Sequence, residues 1–315
     1  MNIGLVQMDG KIPNLALMKI GSFYKSEAHS EVHKVEWWAG PLFHQSYDRV
    51  YASKIFQFTH DDLPDYVVRG GTGYNLDPLP EMMDSVDEAG GWFLYPKYLN
   101  HLGFASRGCR LKCSFCVVPE KEGKPRKNSR IYDLLTNPNG ENRLVLLDDD
   151  FLGHPQWEEA WQEILDLKLR VCFSQGLNIR IITEKQCEYL KKTNFWNLNF
   201  SKPQVTFAWD RPRDKKTIKN GFNRCIEAGM KPYQMQFFVL IGYDSTPEED
   251  LDRVETLREW GVDPFAMAYN KSDPYQRNFQ RWVNRREIFK SCSWKDYKGG
   301  NLNKACQLNP ALLLG

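Results

Sequence analysis

Three of the chain's eight cysteines fall within eight residues, in the order Cys109-Arg-Leu-Lys-Cys113-Ser-Phe-Cys116. A C-x3-C-x2-C loop is too tight for three separate structural roles, but it can turn three thiolates into one small volume. Thiolates of this kind hold iron–sulfur clusters, and a three-cysteine set leaves one iron of a four-iron cube open to an outside ligand. Chemistry can occur at that open iron. Three cysteines plus a histidine such as His101 are also a zinc tetrahedron, although structural zinc sites usually pair two separated knuckles and only one loop is present here.

The spacing, with the aromatic Phe115 directly before the third cysteine, closely resembles the cluster loop of the radical S-adenosylmethionine (radical SAM) superfamily. The resemblance implies that Cys109, Cys113 and Cys116 ligate a [4Fe-4S] cluster whose free iron takes the amino and carboxylate groups of S-adenosylmethionine. It further implies reductive cleavage to a 5'-deoxyadenosyl radical, an external flavodoxin- or ferredoxin-like electron donor, and an unactivated carbon as the target. Methyl transfer through cobalamin, methylthiolation and rearrangement all begin in this way. Methylthiolation is disfavoured, because the segment before Cys109 has no cysteine for a second cluster.

The 315 residues suffice for two domains or one large one, and 42% hydrophobic content supports a substantial core. Charges nearly cancel, 42 basic against 40 acidic, so net charge neither demands nor excludes a nucleic-acid partner. No apolar run approaches the roughly 18 residues of a membrane span, and no signal-peptide pattern opens the chain. Beyond the loop, Cys172, Cys187, Cys225, Cys292 and Cys306 are odd in number and dispersed. Such a set points to a reducing compartment, the cytoplasm. Cys292 and Cys306 lack the C-x2-C companion that an auxiliary cluster would need.

Apolar patterning predicts how these residues are carried. Strands are expected at Met1–Gln7, Val32–Trp38, Arg49–Ser53 and Asp65–Arg69, with a helix after Pro13, which makes residues 1–98 a small Rossmann-like domain with a linker. Its Gly70-Gly71-Thr72-Gly73 turn and its place ahead of the cysteine loop look similar to the B12-binding domains of some radical SAM proteins. The D-x-H-x-x-G motif of a cobalamin ligand is absent, and His29, His33, His44 and His60 have no such context. Cobalamin binding and a plain tight turn in a degenerate domain both remain readings of these glycines. From residue 99 to 270, six strands near 101, 143, 170, 203, 233 and 263 alternate with helices at Pro155–Lys168, Glu184–Thr193, Asp214–Ala228 and Pro247–Trp260. The resemblance implies a partial (β/α)6 radical SAM barrel there, within an α/β fold. Residues 271–315 form a basic, aromatic extension.

In such folds the loops at the carboxyl ends of strands carry function. Asp148, Asp149 and Asp150 end the second of the six strands, where the superfamily usually has a Gly-Gly-Glu type motif. Their carboxylates suit the ammonium of S-adenosylmethionine, or else a helix N-cap. Gln175 and Arg180 lie in Ser-Gln-Gly-Leu-Asn-Ile-Arg, which resembles a Q-G-L-D-I-R stretch of related proteins with Asn178 in place of the acid. Gln175 suits a polar ligand, while Arg180 suits a carboxylate or phosphate, or a bridge to a helix. Gly242 and Tyr243 end the fifth strand, where the superfamily often has a glycine-containing turn that packs the adenine side of S-adenosylmethionine, and Trp209-Asp210-Arg211 ends the fourth.

Eight basic residues between Arg107 and Arg130 are suited to offset thiolate charge or collect an anionic substrate, or else form a solvated loop. A second set including Arg281, Arg285, Arg286 and Lys290 among Trp282, Phe289, Trp294 and Tyr297 is suited to phosphates and stacked bases. A nucleotide or nucleic-acid substrate follows from that reading, and an amphipathic closing helix from the other. The rival from a different class is a zinc-containing nucleic-acid-binding module without catalysis.

Overall fold

A computed structural model describes residues 1–26 and 33–297; His29, Cys306 and the end of the expected extension lie outside the described residues. The chain divides into two compact units, residues 1–103 with 133–143, and residues 104–132 with 144–315. The first unit thus takes back a short segment beyond the expected boundary at residue 98.

In the first unit, β1 (Asn2–Gln7), α1 (Leu15–Lys25), β2 (Lys34–Trp37), β3 (Arg49–Ser53) and β4 (Val68–Gly70) build a sheet of order β2-β1-β3-β4 whose pairs are all parallel. Alternation divides the strands between two faces. Ile3, Leu5 and Tyr51 meet Leu17, Ile20, Phe23 and Tyr24 of α1, while Val6, Val50 and Ala52 face the other way toward Val67 and Trp38. Asn14 caps α1 by accepting the Leu17 N–H at 3.1 Å, and its amide donates to Ser53 Oγ at 2.9 Å. The last strand starts later than its pattern predicts, because Pro64 closes a turn with the Val67 N–H and Asp61 holds Arg69 at 2.9 Å.

The glycine turn folds back on the end of β3. A Cβ on Gly71, at φ +96, would lie 2.6 Å from the Lys54 carbonyl, and one on Gly73 would lie 2.7 Å from Lys54 Cγ. Gly73 also donates to that carbonyl at 2.8 Å. Close packing of the chain on itself accounts for these glycines, and the cobalamin reading gains no support. A short helix α2 (Glu81–Asp84) adds Met83 to the α1 face, and β5 (His101–Gly103) ends the continuous part of this unit.

The second unit opens with β6 (Ser106–Arg107), α3 (Val118–Lys121) and β7 (Arg126–Lys127), the two strands pairing antiparallel across the cysteine loop. Then β8 (Arg143–Leu146), α4 (Trp157–Asp166), β9 (Arg170–Phe173), α5 (Glu184–Lys192), β10 (Asn194–Phe195), β11 (Val205–Ala208), α6 (Lys215–Glu227), β12 (Met235–Ile241), α7 (Pro247–Glu259) and β13 (Asp263–Ala268) alternate strand and helix. Strands β10, β9 and β8 are neighbours in that order, as are β11, β12 and β13, and Leu177 bridges in parallel to Phe207 of β11. Leu144, Val145, Leu146, Val239 and Ile241 are almost wholly buried, as strands covered on both faces require. The capping box of Thr183 with Gln186 starts α5 and that of Thr246 with Glu249 starts α7. Parallel sheets alternating with helices make this an α/β protein.

The extension forms α8 (Pro274–Asn284) and α9 (Arg286–Ser291). Phe279, Trp282 and Phe289 are buried, with Trp294 edge-on to Phe279 at 5.0 Å, and Arg281, Arg285, Arg286 and Lys290 face outward. The base-stacking expectation therefore fails for Trp282 and Phe289, because both rings fill the core of an amphipathic pair. Among the described residues, no helix is long and apolar enough to cross a membrane.

Candidate metal centre

The cysteine loop is shaped by backbone bonds before any side chain contributes. Gly108 takes φ +86, and a Cβ there would collide with the Lys124 carbonyl, so glycine is required. Cys109 donates its N–H to Gly123 at 3.1 Å, and Cys116 closes a turn onto the Cys113 carbonyl at 3.0 Å. Arg107 grips Glu122 through Nε at 2.8 Å and Nη2 at 2.6 Å, which holds the Glu122 carboxyl below its usual range.

All three loop thiols are half-buried. Burial pushes Cys109 up to about 11, against the Leu111 N–H that points at its sulfur from 3.4 Å, and nearby Asp150, Cys113 and Cys116 add to the rise. Cys116 is raised chiefly by burial, with Cys113, Asp149 and Asp210 adding negative charge.

Thiolate donors suit an iron–sulfur cluster and zinc alike, and zinc adds the demand for a fourth ligand. Zinc needs every ligand within about 2.3 Å of one centre. Among the described residues, no three His, Cys, Asp or Glu side chains are arranged to hold a metal ion as they stand. His101, the expected fourth zinc ligand, accepts the Asn137 N–H on Nδ1 at 3.2 Å, and a Cβ on Gly140 would lie 2.6 Å from its Nε2. Both ring nitrogens are turned to the 137–140 turn of the first unit.

The three aspartates after β8 reach back to the loop. Asp148 accepts the Ala105 N–H at 3.0 Å, the Ser106 N–H at 2.6 Å and the Ser106 hydroxyl at 2.7 Å. Gly108 donates to Asp149 at 3.3 Å. Asp150 accepts the Arg110 N–H at 3.3 Å and takes its guanidinium in two bonds of 2.7 and 3.0 Å. Asp148 and Asp150 are buried and committed to these partners, whereas Asp149 is half-buried with one long hydrogen bond. Of the three expected ligands for an ammonium, Asp149 has the capacity left to accept one. Burial raises its pKa.

The end of β12 meets the loop from another side. Tyr243 donates its hydroxyl to Ser114 Oγ at 2.8 Å and stands edge-on to Phe115 at 5.4 Å and to Tyr269 at 4.8 Å. Two residues chosen separately from sequence, Phe115 and Tyr243, are thereby in contact. Gly242, at φ +73, gives its N–H to Asp250 at 3.1 Å, and a Cβ there would strike the Gln276 amide.

Beneath that turn sits a buried ion pair which the strand pattern did not mark. Arg253 binds the carbonyls of Trp209 at 3.0 Å and Leu240 at 2.8 Å and pairs with the fully buried Asp250. One guanidinium therefore joins the ends of β11 and β12. The next residue after Trp209 is Asp210, a half-buried carboxyl whose pKa burial raises even though Arg180 and Arg253 pull it down. Its place at a strand end was its sequence signal.

Gln175 is exposed after β9. Arg180 donates to Asp214 at 2.7 Å and to Asn178 at 3.1 Å, which is the bridge to a helix rather than an open anion site. In the basic run, Arg107 and Arg126 pair with Glu122, Arg110 with Asp150 and Arg130 with Glu163, so much of its charge is internally matched.

The chain is 24% identical over 220 residues to the ribosomal protein uS12 methylthiotransferase RimO of Aeromonas salmonicida, a match covering 65% of this chain and 45% of that protein. The RimO of Aeromonas hydrophila matches with the same identity and coverage. The matched part is thus under half the length of these relatives. No family model matches the chain, and no solved structure does.

Proposed function

We propose that this chain is a radical SAM enzyme in which Cys109, Cys113 and Cys116 hold a [4Fe-4S] cluster at the mouth of a partial (β/α)6 barrel. The observation that carries the reading is the trio of half-buried thiols from one glycine-shaped loop, bound to the carboxyl ends of β8 and β12. Its likeness to a methylthiotransferase over 65% of its length supports the same class. When bound, such a cluster supplies the open iron and the electron that cleave S-adenosylmethionine to a 5'-deoxyadenosyl radical.

The chain's own residues bind, orient and seclude. Asp149 accepts the ammonium of the cosubstrate, and the Gly242 turn with Tyr243 and Phe115 forms an apolar wall beside the loop. Asp210 and the exposed Gln175 offer polar contacts at neighbouring strand ends. The product is a carbon modified at a former C–H bond. Transfer of a methylthio group, which names the two relatives, is one of the carbon modifications that begin in this way. An external flavodoxin- or ferredoxin-like donor in the cytoplasm supplies the electron. A nucleotide or nucleic-acid substrate, if it binds, is held by the outward Arg281, Arg285, Arg286 and Lys290 and not by buried rings, so its affinity falls steeply with salt.

Anaerobic reconstitution tests the reading. About four iron and four sulfide per chain are expected, with 5'-deoxyadenosine formed on reduction and lost in Cys113→Ala. Protein that takes up zinc alone, or that carries iron without ever cleaving S-adenosylmethionine, overturns it.

A further inference from the structure

Resting on the cluster reading above, we infer that Asp148, Asp149 and Asp150 are positioning residues that hold the 105–110 segment in its cluster-receiving shape before any cluster arrives. Three consecutive carboxylates meet successive N–H groups in step: Asp148 those of Ala105 and Ser106, Asp149 that of Gly108, Asp150 that of Arg110. The two stretches advance together, as the members of a parallel ladder do. Side-chain oxygens here stand where a neighbouring strand would offer carbonyls. Ionised acceptors make such bonds roughly twice as strong as neutral ones, and two of the three carboxyl groups are buried.

Two glycines are placed to permit the clamp. Gly108 needs its left-handed φ of +86 to turn the chain between the Ser106 and Arg110 bonds. Gly153 leaves the space in which Arg110 folds onto Asp150, since a Cβ there would collide with both Arg110 Nε and Asp150 Oδ2. Many small metal sites have no such frame and fold only when metal arrives. In this chain the backbone ahead of the first cysteine, and the residue just after it, are already fixed by groups that do not ligate the cluster. Cluster insertion then has only the thiols to order.

The experiment is amide hydrogen exchange on the full-length apo-protein, free of metal and reducing agent adducts, for wild type, Asp148→Asn and Gly153→Ala. Protected amides at Ala105, Ser106, Gly108 and Arg110 are expected in the wild type. Asp148→Asn turns an amide donor toward one of these N–H groups, and exchange at 105 and 106 should quicken by about tenfold or more. Gly153→Ala should do the same at Arg110, with circular dichroism unchanged in both. After anaerobic reconstitution both variants should hold less iron per folded chain than wild type. Wild-type amides that exchange as fast as an open loop, or variants that match wild type in both exchange and iron content, overturn the inference. Zinc uptake in place of iron would sink the cluster reading instead, and the exchange result is read independently of it.

Discussion

Replacing Arg253 by alanine is the perturbation whose cost the structure states most directly. The guanidinium is wholly buried and bonds to the Trp209 carbonyl at 3.0 Å and the Leu240 carbonyl at 2.8 Å, besides its pair with Asp250. Without it, Asp250 keeps the Gly242 N–H, the Ser245 hydroxyl at 2.7 Å and the Tyr275 hydroxyl at 3.2 Å, but loses its only counter-charge among these partners. Removing one member of a buried ion pair costs about 3–5 kcal/mol. At about 2–4 °C per kcal/mol for a unit of this size, Tm should fall by about 6–20 °C. Thermal unfolding of the apo-protein followed by circular dichroism measures it. The double replacement Asp250→Leu with Arg253→Met should cost less than the sum of the two single changes, because it leaves no lone buried charge. A Tm drop under about 2 °C for Arg253→Ala would refute the claim that this pair fastens the ends of β11 and β12.

Gly242→Ala should destabilise by about 2 kcal/mol or more, from the left-handed backbone penalty together with its collision with Gln276, and denaturant unfolding would show it; a neutral outcome means the turn rearranges freely. Tyr243→Phe keeps the edge contact with Phe115 and loses the bond to Ser114, for about 0.5–1.5 kcal/mol, whereas Tyr243→Ala removes both and should lower the yield of 5'-deoxyadenosine in a quantitative assay; equal yields remove Tyr243 from the site. In the first unit, the Arg69 guanidinium and the Leu63 N–H hold Asp61 down to about 2. A folded value below the unfolded 3.8 means a contribution to stability that is present above the unfolded value and lost as pH falls through the folded one. Asp61→Asn should therefore flatten the acid limb between about pH 4 and 2, and an Asp61 carboxyl resonance titrating near 4 would count against it.

Much of the second unit was legible because β8, β9, β11 and β12 are short, largely apolar runs and α5 and α7 carry their own start signals. Thr246-Pro247 and Thr183 open helices where expected, and β12 and β13 end within a residue of their predicted limits. The contact of Phe115 with Tyr243 joins two residues far apart in sequence, each singled out through the family resemblance. Other features had no local mark. The first unit recovers residues 133–143 because Asn137 donates to the Tyr98 and Asn100 carbonyls, a long-range bond that no period in the sequence announces. The aspartate run reads from sequence as solvated acid or ligand, and its attachment to a loop some forty residues earlier appears only once β8 is in place. Basic and aromatic residues in the extension support two readings until burial separates Trp282 from Arg281.

The distribution of thiols bears on what chemistry the unit can host. Cys172 lies inside β9, where burial pushes it up to about 12, and a thiol so protonated is a poor nucleophile and a poor ligand at neutral pH. Cys187 and Cys225 are fully buried on α5 and α6 with their sulfurs 3.7 Å apart, packed against each other as small apolar groups. These three are tied to core packing, each on a different element. The loop thiols differ in kind: they are half-buried, share one turn, and stand beside Asp149, Asp210 and the Phe115–Tyr243 pair. Among these six thiols, ligand capacity is therefore concentrated at one loop by burial as much as by spacing. A core cysteine could join it only if a helix or strand that the sheet depends on were displaced.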